Sequence, residues 1–461
     1  MSNSTIINKI VEKERIYFNE GHTLPISARI KSLKLLETSI RNNEDMILSA
    51  LKSDLNKSRY EGYMTELAIV FCELDHTLKN IKHWARPERK KVALSQAPAK
   101  AKIIKEPYGT VLIMAPWNYP FQLCMVPLIG AIAAGNTAVV KPSAYAPAVS
   151  NAVCSVISEA FPPEYVSVVE GGREENNALL EQHFDYIFFT GSPAVGKAVM
   201  QQAANNLTPV TLELGGKSPV IAEQSADIKK TAKRILFGKL LNAGQTCVAP
   251  DYLLVQNSIK AELINEIKNH YNTMIPDTKY KRENFPKIIN KKHFDRIRQL
   301  METQDILIGG NTYPDTLQIE FTLVNEPDTE SPLMQEEIFG PVLPVIGFDD
   351  INQAVNFVKS RPKPLALYLF TKDKSVEKTI LRNLSFGGGC VNDTVIHLSS
   401  PHLPFGGVGN SGMGRYHGKE TFETFSHTKS ILKKSWHLDI PVRYHPFQSP
   451  DKKLPEWLFK K

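Results

Sequence analysis

Apolar and polar positions along this chain follow two rhythms. From residue 26 to residue 85 the rhythm is helical, with one helix-compatible run over 26–54 and a stronger one over 58–85. In the stronger run Met64, Leu67, Phe71, Leu74, Leu78 and Ile81 recur at alternating steps of three and four, which predicts one apolar stripe packed on a core. The texture changes over 86–107. Arg86-Pro87-Glu88-Arg89-Lys90-Lys91 leads into a stretch at 99–107 with partial strand alternation. A hairpin needing a partner surface and a charged linker fit that stretch equally. From Gly109 short apolar runs at 110–115, 137–141, 166–170 and 186–190 alternate with helical patterns at 125–134, 147–160 and 174–182. A second series follows: strand 209–214, helix 227–242, strand 251–256, helix 259–271 and further units to about residue 415. Strands separated by helices pair in parallel, so the fold class expected is α/β, with two consecutive doubly wound sheets.

Composition narrows the classes. The 461 residues are enough for two or three domains of roughly 150 residues each. The net charge of +7 is mild over this length and points to phosphate-bearing ligands. No dense Lys/Arg patch is interleaved with aromatics, so nucleic acid is not expected as a partner. Cys72, Cys124, Cys154, Cys247 and Cys390 are scattered, without a CxxC, which argues for a reducing compartment and against structural zinc. The N-terminus lacks the apolar core of a signal peptide, and no apolar run reaches the roughly 18 residues of a spanning helix. A cytoplasmic location is expected.

The candidate chemistry centres on Asn242-Ala243-Gly244-Gln245-Thr246-Cys247-Val248-Ala249-Pro250. A thiol attacks only as thiolate, Gly244 permits close backbone approach, and the Cys247 amide is placed to face an oxyanion. Upstream, the strand-like Val210-Thr211-Leu212-Glu213-Leu214 carries one carboxylate before Gly215-Gly216. A cysteine nucleophile and a carboxylate base are the parts of acyl-enzyme chemistry. Ala115-Pro116-Trp117-Asn118-Tyr119-Pro120 follows a strand, and the Asn118 amide is either a neutral oxyanion donor or a turn residue. Gly191, Ser192 and Gly196 form a glycine turn into a helix, suited to a phosphate, though not the GxGxxG fingerprint. Lys141 ends a strand where ligands of open α/β sheets bind. Glu336-Glu337-Ile338-Phe339-Gly340-Pro341 pairs a carboxylate suited to a ribose diol with a ring suited to a flat heterocycle. The glycine-dense 386–392 and 404–414 read as cavity-lining loops, and His397, His402, His417 and His427 lack metal-ligand spacing.

In this order and spacing the segments resemble the aldehyde dehydrogenase family from about residue 26 to 430, most specifically in WNYP, ELGGKSP, GQTCVAPDY, EEIFGPV and PFGGVGNSGMG. GQTCVAPDY and Gly414-Arg415-Tyr416-His417-Gly418-Lys419 are similar to the class 3 branch of fatty and aromatic aldehyde dehydrogenases. The resemblance implies a Rossmann-like cofactor domain over 1–85 and 104–209, and a catalytic domain over 210–415. Bridging and oligomerisation elements would occupy 86–103 and 416–440, followed by a tail over 441–461. It implies that Cys247 attacks an aldehyde, with Asn118 and the Cys247 amide holding the oxyanion and Glu213 activating water. It also implies that Glu337, Phe339, Trp117, Lys141, Gly191, Ser192 and Gly196 bind NAD, and that Tyr119 lines a pocket for a medium- or long-chain or aromatic aldehyde. A homodimer is implied by the branch.

One position departs from the family pattern. Ala144 stands where a glutamate commonly follows Lys-Pro-Ser, so no like-charge penalty opposes a 2′-phosphate and NADP is expected alongside NAD. The end of the chain from Lys433 to Lys461, with Trp436, Trp457, Phe459 and paired lysines, is too polar and proline-interrupted to span a membrane. Docking on the protein or its dimer partner is the expectation, with peripheral contact to an anionic surface as the alternative. Two other functions fit the same residues: an acylating enzyme that hands its thioester to coenzyme A, and a nucleotide-binding redox sensor that uses Cys247 without turnover.

Overall fold

The strand Thr110–Met114 consists of five buried residues and lies inside a six-stranded sheet. Across the sheet the strands run Gly412–Met413, Val210–Leu214, Tyr186–Gly191, Thr110–Met114, Thr137–Lys141 and Val166–Val168. All neighbours are parallel except the first pair. Both faces are covered, which is why Thr110–Met114 and Thr137–Lys141 read as continuous apolar runs and not as alternating ones. The chain fills one side of Thr110–Met114 first and then crosses to its other side at Tyr186–Gly191. Strand order therefore reverses there, and a crevice opens beyond the carboxyl ends. The computed structural model describes residues 3–438 together with Tyr444 and His445, so the expectations for 441–461 fall almost entirely outside the described residues.

A second sheet of seven strands runs Ile306–Ile308, Thr322–Asn325, Val342–Phe348, Tyr252–Gln256, Pro219–Ala222, Ala366–Phe370 and Gly388–Val391. Only its first pair is antiparallel. The expected α/β class with two doubly wound sheets is what the chain forms. Sheet membership does not change at 209/210, however. Val210–Leu214 pairs with Tyr186–Gly191, Phe188 opposite Thr211, so the chain leaves the first sheet only after Leu214. It returns near its end, where Gly412–Met413 pairs with Leu212 and Glu213.

The stretch 86–107 forms strands. Glu88–Lys90 and Ser426–Lys434 flank Ala99–Pro107 in a three-stranded antiparallel sheet. The partner surface that a lone hairpin needs is the chain's own Ser426–Lys434, in register from Ser426 opposite Pro107 to Lys434 opposite Ala99. The run at 26–54 breaks at Asn43 into helices Ile26–Asn42 and Glu44–Leu55. The apolar stripe of 58–85 is partly a core face: Leu67, Leu74 and Ile81 are fully buried, while Met64 instead lines the central cavity. A π-helical turn, Tyr63–Leu67, lies between Arg59–Gly62 and Ala68–Trp84 and alters which residues face inward. No described helix is long and apolar enough to cross a membrane.

Helix Gln122–Ala134 is buried along its whole length, which accounts for its lack of a polar face. At Gly130 the late helix Lys419–Thr424 lies so close that a Cβ would overlap the side chain of Thr421. Gly130→Val is therefore expected to lower the urea midpoint of unfolding by the equivalent of about 1–3 kcal/mol, the usual cost of overpacking. An unchanged midpoint would show that the two helices part freely.

Candidate active site

Segments from the carboxyl ends of both sheets enclose a cavity of about 520 Å³. Strand Thr110–Met114 runs into it with Trp117, Asn118 and Tyr119, Tyr186–Gly191 with Thr190, Gly191 and Ser192, and Val210–Leu214 with Glu213. Cys247 arrives after helix Ile228–Leu240 through an unusual turn. Asn242 (φ 49°), Ala243 (φ 51°) and Gly244 (φ 72°) are successively left-handed, a conformation costly for residues with a Cβ. At Gly244 no Cβ is tolerated, because it would overlap the Gly340 carbonyl. This close approach fixes the Cys247 loop against Phe339-Gly340-Pro341.

Buried hydrogen bonds hold the turn. The Asn242 amide donates to Glu61 Oε1 at 2.6 Å, and Asn242 Nδ2 donates to the carbonyls of Asn118 at 2.7 Å and Gln245 at 3.1 Å. Gln245 Nε2 donates to the carbonyls of Asn242 and Lys287, both at 3.0 Å, while its Oε1 accepts from the Ile289 amide at 3.0 Å. Asn118 Nδ2 donates to the Gln245 carbonyl at 3.1 Å, and its second N–H remains for a group in the cavity that Asn118 lines. Tyr119 Oη and Thr246 Oγ1 share a hydrogen bond at 2.5 Å, which ties the Asn118 segment to the residue preceding Cys247.

The titratable groups are perturbed together. Glu213 is buried, neither carboxylate oxygen has a hydrogen-bond partner, and burial alone raises its pKa far above the carboxylate range. Burial also pushes the Cys247 thiol up. The carboxylates of Glu337 and Glu213 act in the same direction, against the amides of Cys247 and Val248. Glu337 is raised to about 8 by burial and by Asp251, with the Gly216 amide, Lys217 and Arg296 opposing. Desolvated acids beside a cysteine in a concave site are the expected signature of chemistry.

Trp117, Asn118, Tyr119, Gly191, Ser192, Glu213, Cys247, Glu337 and Phe339 all line this one cavity, as their sequence setting led one to expect. Lys141 and Gly196 do not. Lys141 is buried with its amine donating to the carbonyls of Pro142 and Gly171, both at 2.7 Å. Gly196 lies where helix Pro193–Ala204 meets the sheet, and a Cβ there would meet Leu214 at 2.6 Å. Tyr416 and His417, from the run similar to the class 3 branch, also line the cavity, as do His293 and Arg296, which carried no sequence signal. His293 packs on Trp117 at 5.2 Å between ring centres, and burial holds it neutral with its pKa lowered to about 4.

The profile of the aldehyde dehydrogenase family matches residues 1–431. The chain belongs to this family. It is 46% identical over 445 residues to the 4,4'-diaponeurosporen-aldehyde dehydrogenase of Staphylococcus aureus, covering 96% of this chain and 97% of that one. It is 40% identical over 442 residues to the dimeric NADP-preferring aldehyde dehydrogenase of the dog, covering 95% and 98%. Among solved structures, substrate-bound AldH of Staphylococcus aureus superposes with a TM-score of 0.94 at 46% identity, over 96% of this chain and 97% of that one. The betaine aldehyde dehydrogenase of the same organism, in complex with NAD+, gives 0.84 at 28% identity, over 93% and 87%. This aldehyde dehydrogenase is thus an enzyme of NAD(P)-dependent aldehyde oxidation.

The residues present fit a dinucleotide. Thr190 Oγ1 is buried without a partner at the end of its strand, where Ser192 caps the amino end of helix Pro193–Ala204 and leaves positive dipole toward the cavity. The Glu337 carboxylate lies against Gly215, where a Cβ would overlap it, so glycine leaves room for a diol-binding acid. Phe339 and Trp117 meet edge to face at 5.3 Å beside it.

The raised pKa of Glu337 has a measurable sign. Between the ordinary glutamate value near 4.3 and about 8, the fold retains a proton that the unfolded chain has released, so stability falls as pH rises. Glu337→Gln cannot ionise, and its melting temperature is expected to gain on that of the parent from pH about 5 to about 8.5. A difference independent of pH would contradict a retained proton.

Proposed function

We propose that Cys247 is the nucleophile of this aldehyde dehydrogenase, Asn118 the oxyanion donor and Glu213 the base that activates water. The observation that carries this reading is their meeting on one cavity wall, with both Glu213 oxygens unpartnered. Because burial keeps the thiol protonated, its proton passes to an ionised neighbouring carboxylate and from there to solvent, which frees both the Sγ thiolate to attack the aldehyde carbon and the carboxylate to act again as a base. The carbonyl oxygen then becomes an alkoxide, held by the free N–H of Asn118 Nδ2 and by the Cys247 amide. Bound NAD(P)+ supplies the acceptor for the hydride that leaves this carbon, which turns the thiohemiacetal into a thioester. Glu213 takes a proton from water as its oxygen bonds to the thioester carbon, the C–S bond breaks, and the acid leaves with Cys247 restored.

Glu337 would hold the nicotinamide ribose, with Phe339 and Trp117 packed beside it, and Ser192 with the Gly191–Gly196 turn would face the pyrophosphate. Lys141 has one N–H left after its two carbonyl bonds, sufficient for a hydroxyl of the adenosine ribose. Ala144 is exposed and brings no carboxylate to that ribose, which supports the use of NADP as well as NAD. The apolar walls of the inner cavity, Met64, Ile69, Leu123, Phe237, Leu241 and Leu398, support a hydrophobic aldehyde of medium or long chain or with an aromatic ring. Tyr119 contributes to the same wall. Exposed Val195, Met200 and Leu207, on and just after helix Pro193–Ala204, support a homodimer that covers them. Five free thiols support a reducing, cytoplasmic setting.

Pre-steady-state formation of reduced cofactor tests the assignment. Cys247→Ala is expected to form none. Glu213→Gln is expected to release about one equivalent per subunit and then turn over some 10²–10⁴-fold more slowly. Steady turnover by Glu213→Gln at the parental rate would remove Glu213 from the role of base. Coenzyme A that accelerates the parent and appears as acyl-CoA would favour thioester transfer over hydrolysis. On the cofactor, NADP is expected to be used within about a hundredfold of NAD in kcat/KM, a gap of less than roughly 2.7 kcal/mol. Stronger rejection would mean that another group replaces the missing carboxylate.

A further inference from the structure

Behind Asn118 lies a charge cluster that the proposed reaction does not use. Lys57 and Glu66 form an ion pair at 2.7 Å, and neither side chain has any exposed surface. Glu61 lies close enough to both to feel their charges. Burying such groups is costly, and a well-packed apolar replacement would usually serve stability as well or better. What these groups hold therefore matters more than what they contribute to stability.

Each of the three is tied to the Asn118 segment by a different route, Lys57 directly and the two glutamates through neighbouring backbone. Lys57 Nζ donates to the Asn118 carbonyl at 3.2 Å and sits 4.0 Å above the Tyr119 ring. Glu66 Oε2 accepts from the amides of Phe121 at 3.2 Å and Gln122 at 2.8 Å, which fixes the chain directly after Asn118 and Tyr119 at the start of helix Gln122–Ala134. Glu61 Oε1 accepts from the Asn242 amide at 2.6 Å, and Asn242 Nδ2 in turn donates to the Asn118 carbonyl at 2.7 Å. Asn118 Nδ2 closes the ring through the Gln245 carbonyl, which Asn242 Nδ2 also bonds. Glu66 lies in the π-helical turn Tyr63–Leu67, a local feature often found at functional sites, and its neighbour Thr65 lines the cavity.

We propose that Lys57, Glu61 and Glu66 are positioning residues that aim the Asn118 amide at the developing oxyanion. This inference rests on the reading of Asn118 as the oxyanion donor. Such donors work only when held in place before charge develops, and a carbonyl anchored by an ammonium and an amide cannot rotate without breaking both bonds. The three residues touch neither substrate nor cofactor. Their effect passes through the Asn118 peptide and the turn at residues 242–245.

A double-mutant cycle separates aiming from mere support. Lys57→Met with Glu66→Gln removes both charges together, so neither is left buried alone, and the glutamine retains an acceptor for the helix amides. Single-turnover formation of reduced cofactor, KM for the aldehyde and melting temperature are measured in parental and Asn118→Ala backgrounds. The expected result is a loss of roughly tenfold to a hundredfold in the single-turnover rate, with KM little changed, in the parental background only. In the Asn118→Ala background the same pair should cost less than about twofold. Equal losses in both backgrounds, or no loss in a folded variant, would overturn the proposal. If Asn118→Ala alone leaves the rate unchanged, the oxyanion reading fails first, and the positioning role with it. Should the pair not fold, Glu61→Gln, which keeps an acceptor for the Asn242 amide, is carried through the same cycle and judged by the same outcomes.

Discussion

Two buried carbonyls, those of Asn118 and Gln245, connect the halves of the active site. Asn118 follows a strand of the first sheet, and Gln245 belongs to the loop that carries Cys247. Asn242 Nδ2 bonds both carbonyls, and Asn118 Nδ2 bonds the second. These polar groups are shielded from water, so breaking one contact leaves a desolvated partner at a cost of about 1–3 kcal/mol. The geometry is held by penalty as much as by attraction. The left-handed turn at residues 242–244 is the consequence: it is tolerated because the clamp and the Gly340 contact over-determine it.

The same dryness sets the electrostatics. Glu213, Glu337 and the Cys247 thiol all bind their protons more tightly than in water, and burial is the leading cause for each. A protonated thiol does not waste a nucleophile on solvent, and a carboxylate whose proton affinity is raised by burial is, once ionised, a stronger base toward it than a carboxylate in water. Behind the walls Lys57 pairs with Glu66, and Lys217 with Asp251.

Much of this was legible in the chain because local rules and global fold agree. Apolar runs broken by helices announced parallel sheets, and the boundaries of Thr137–Lys141 and Pro147–Ala160 follow the sequence pattern closely. Cys247, Glu213 and Asn118 were singled out by the order and spacing of the motifs that carry them, and the fold brings all three to one cavity. What escaped notice was set by tertiary contact. Val210–Leu214 reads as the opening of a second unit, yet its edge is claimed by Tyr186–Gly191, and strand pairing of that kind leaves no periodicity to read. Met64 sits in a helical stripe, but the π-helical turn rotates the register and delivers it to the cavity. His293 and Arg296 have ordinary neighbours in sequence and acquire their place only from the fold.

Lys141 shows where residue type alone misleads. A lysine at a strand end promises a mobile cation for a phosphate, but here two carbonyls, of Pro142 and Gly171, hold the amine inside the protein. An ammonium so placed acts as a fixed donor with one direction left, closer to an oriented backbone amide than to a free charge. Discrimination between ribose and phosphorylated ribose then depends on the ground beside that donor. Ala144 is exposed and adds no carboxylate, while Glu175 and Glu170 lie near enough to act on the ammonium. The Lys141 donor is thus held as rigidly by backbone carbonyls as the Asn118 segment is at the other end of the cavity.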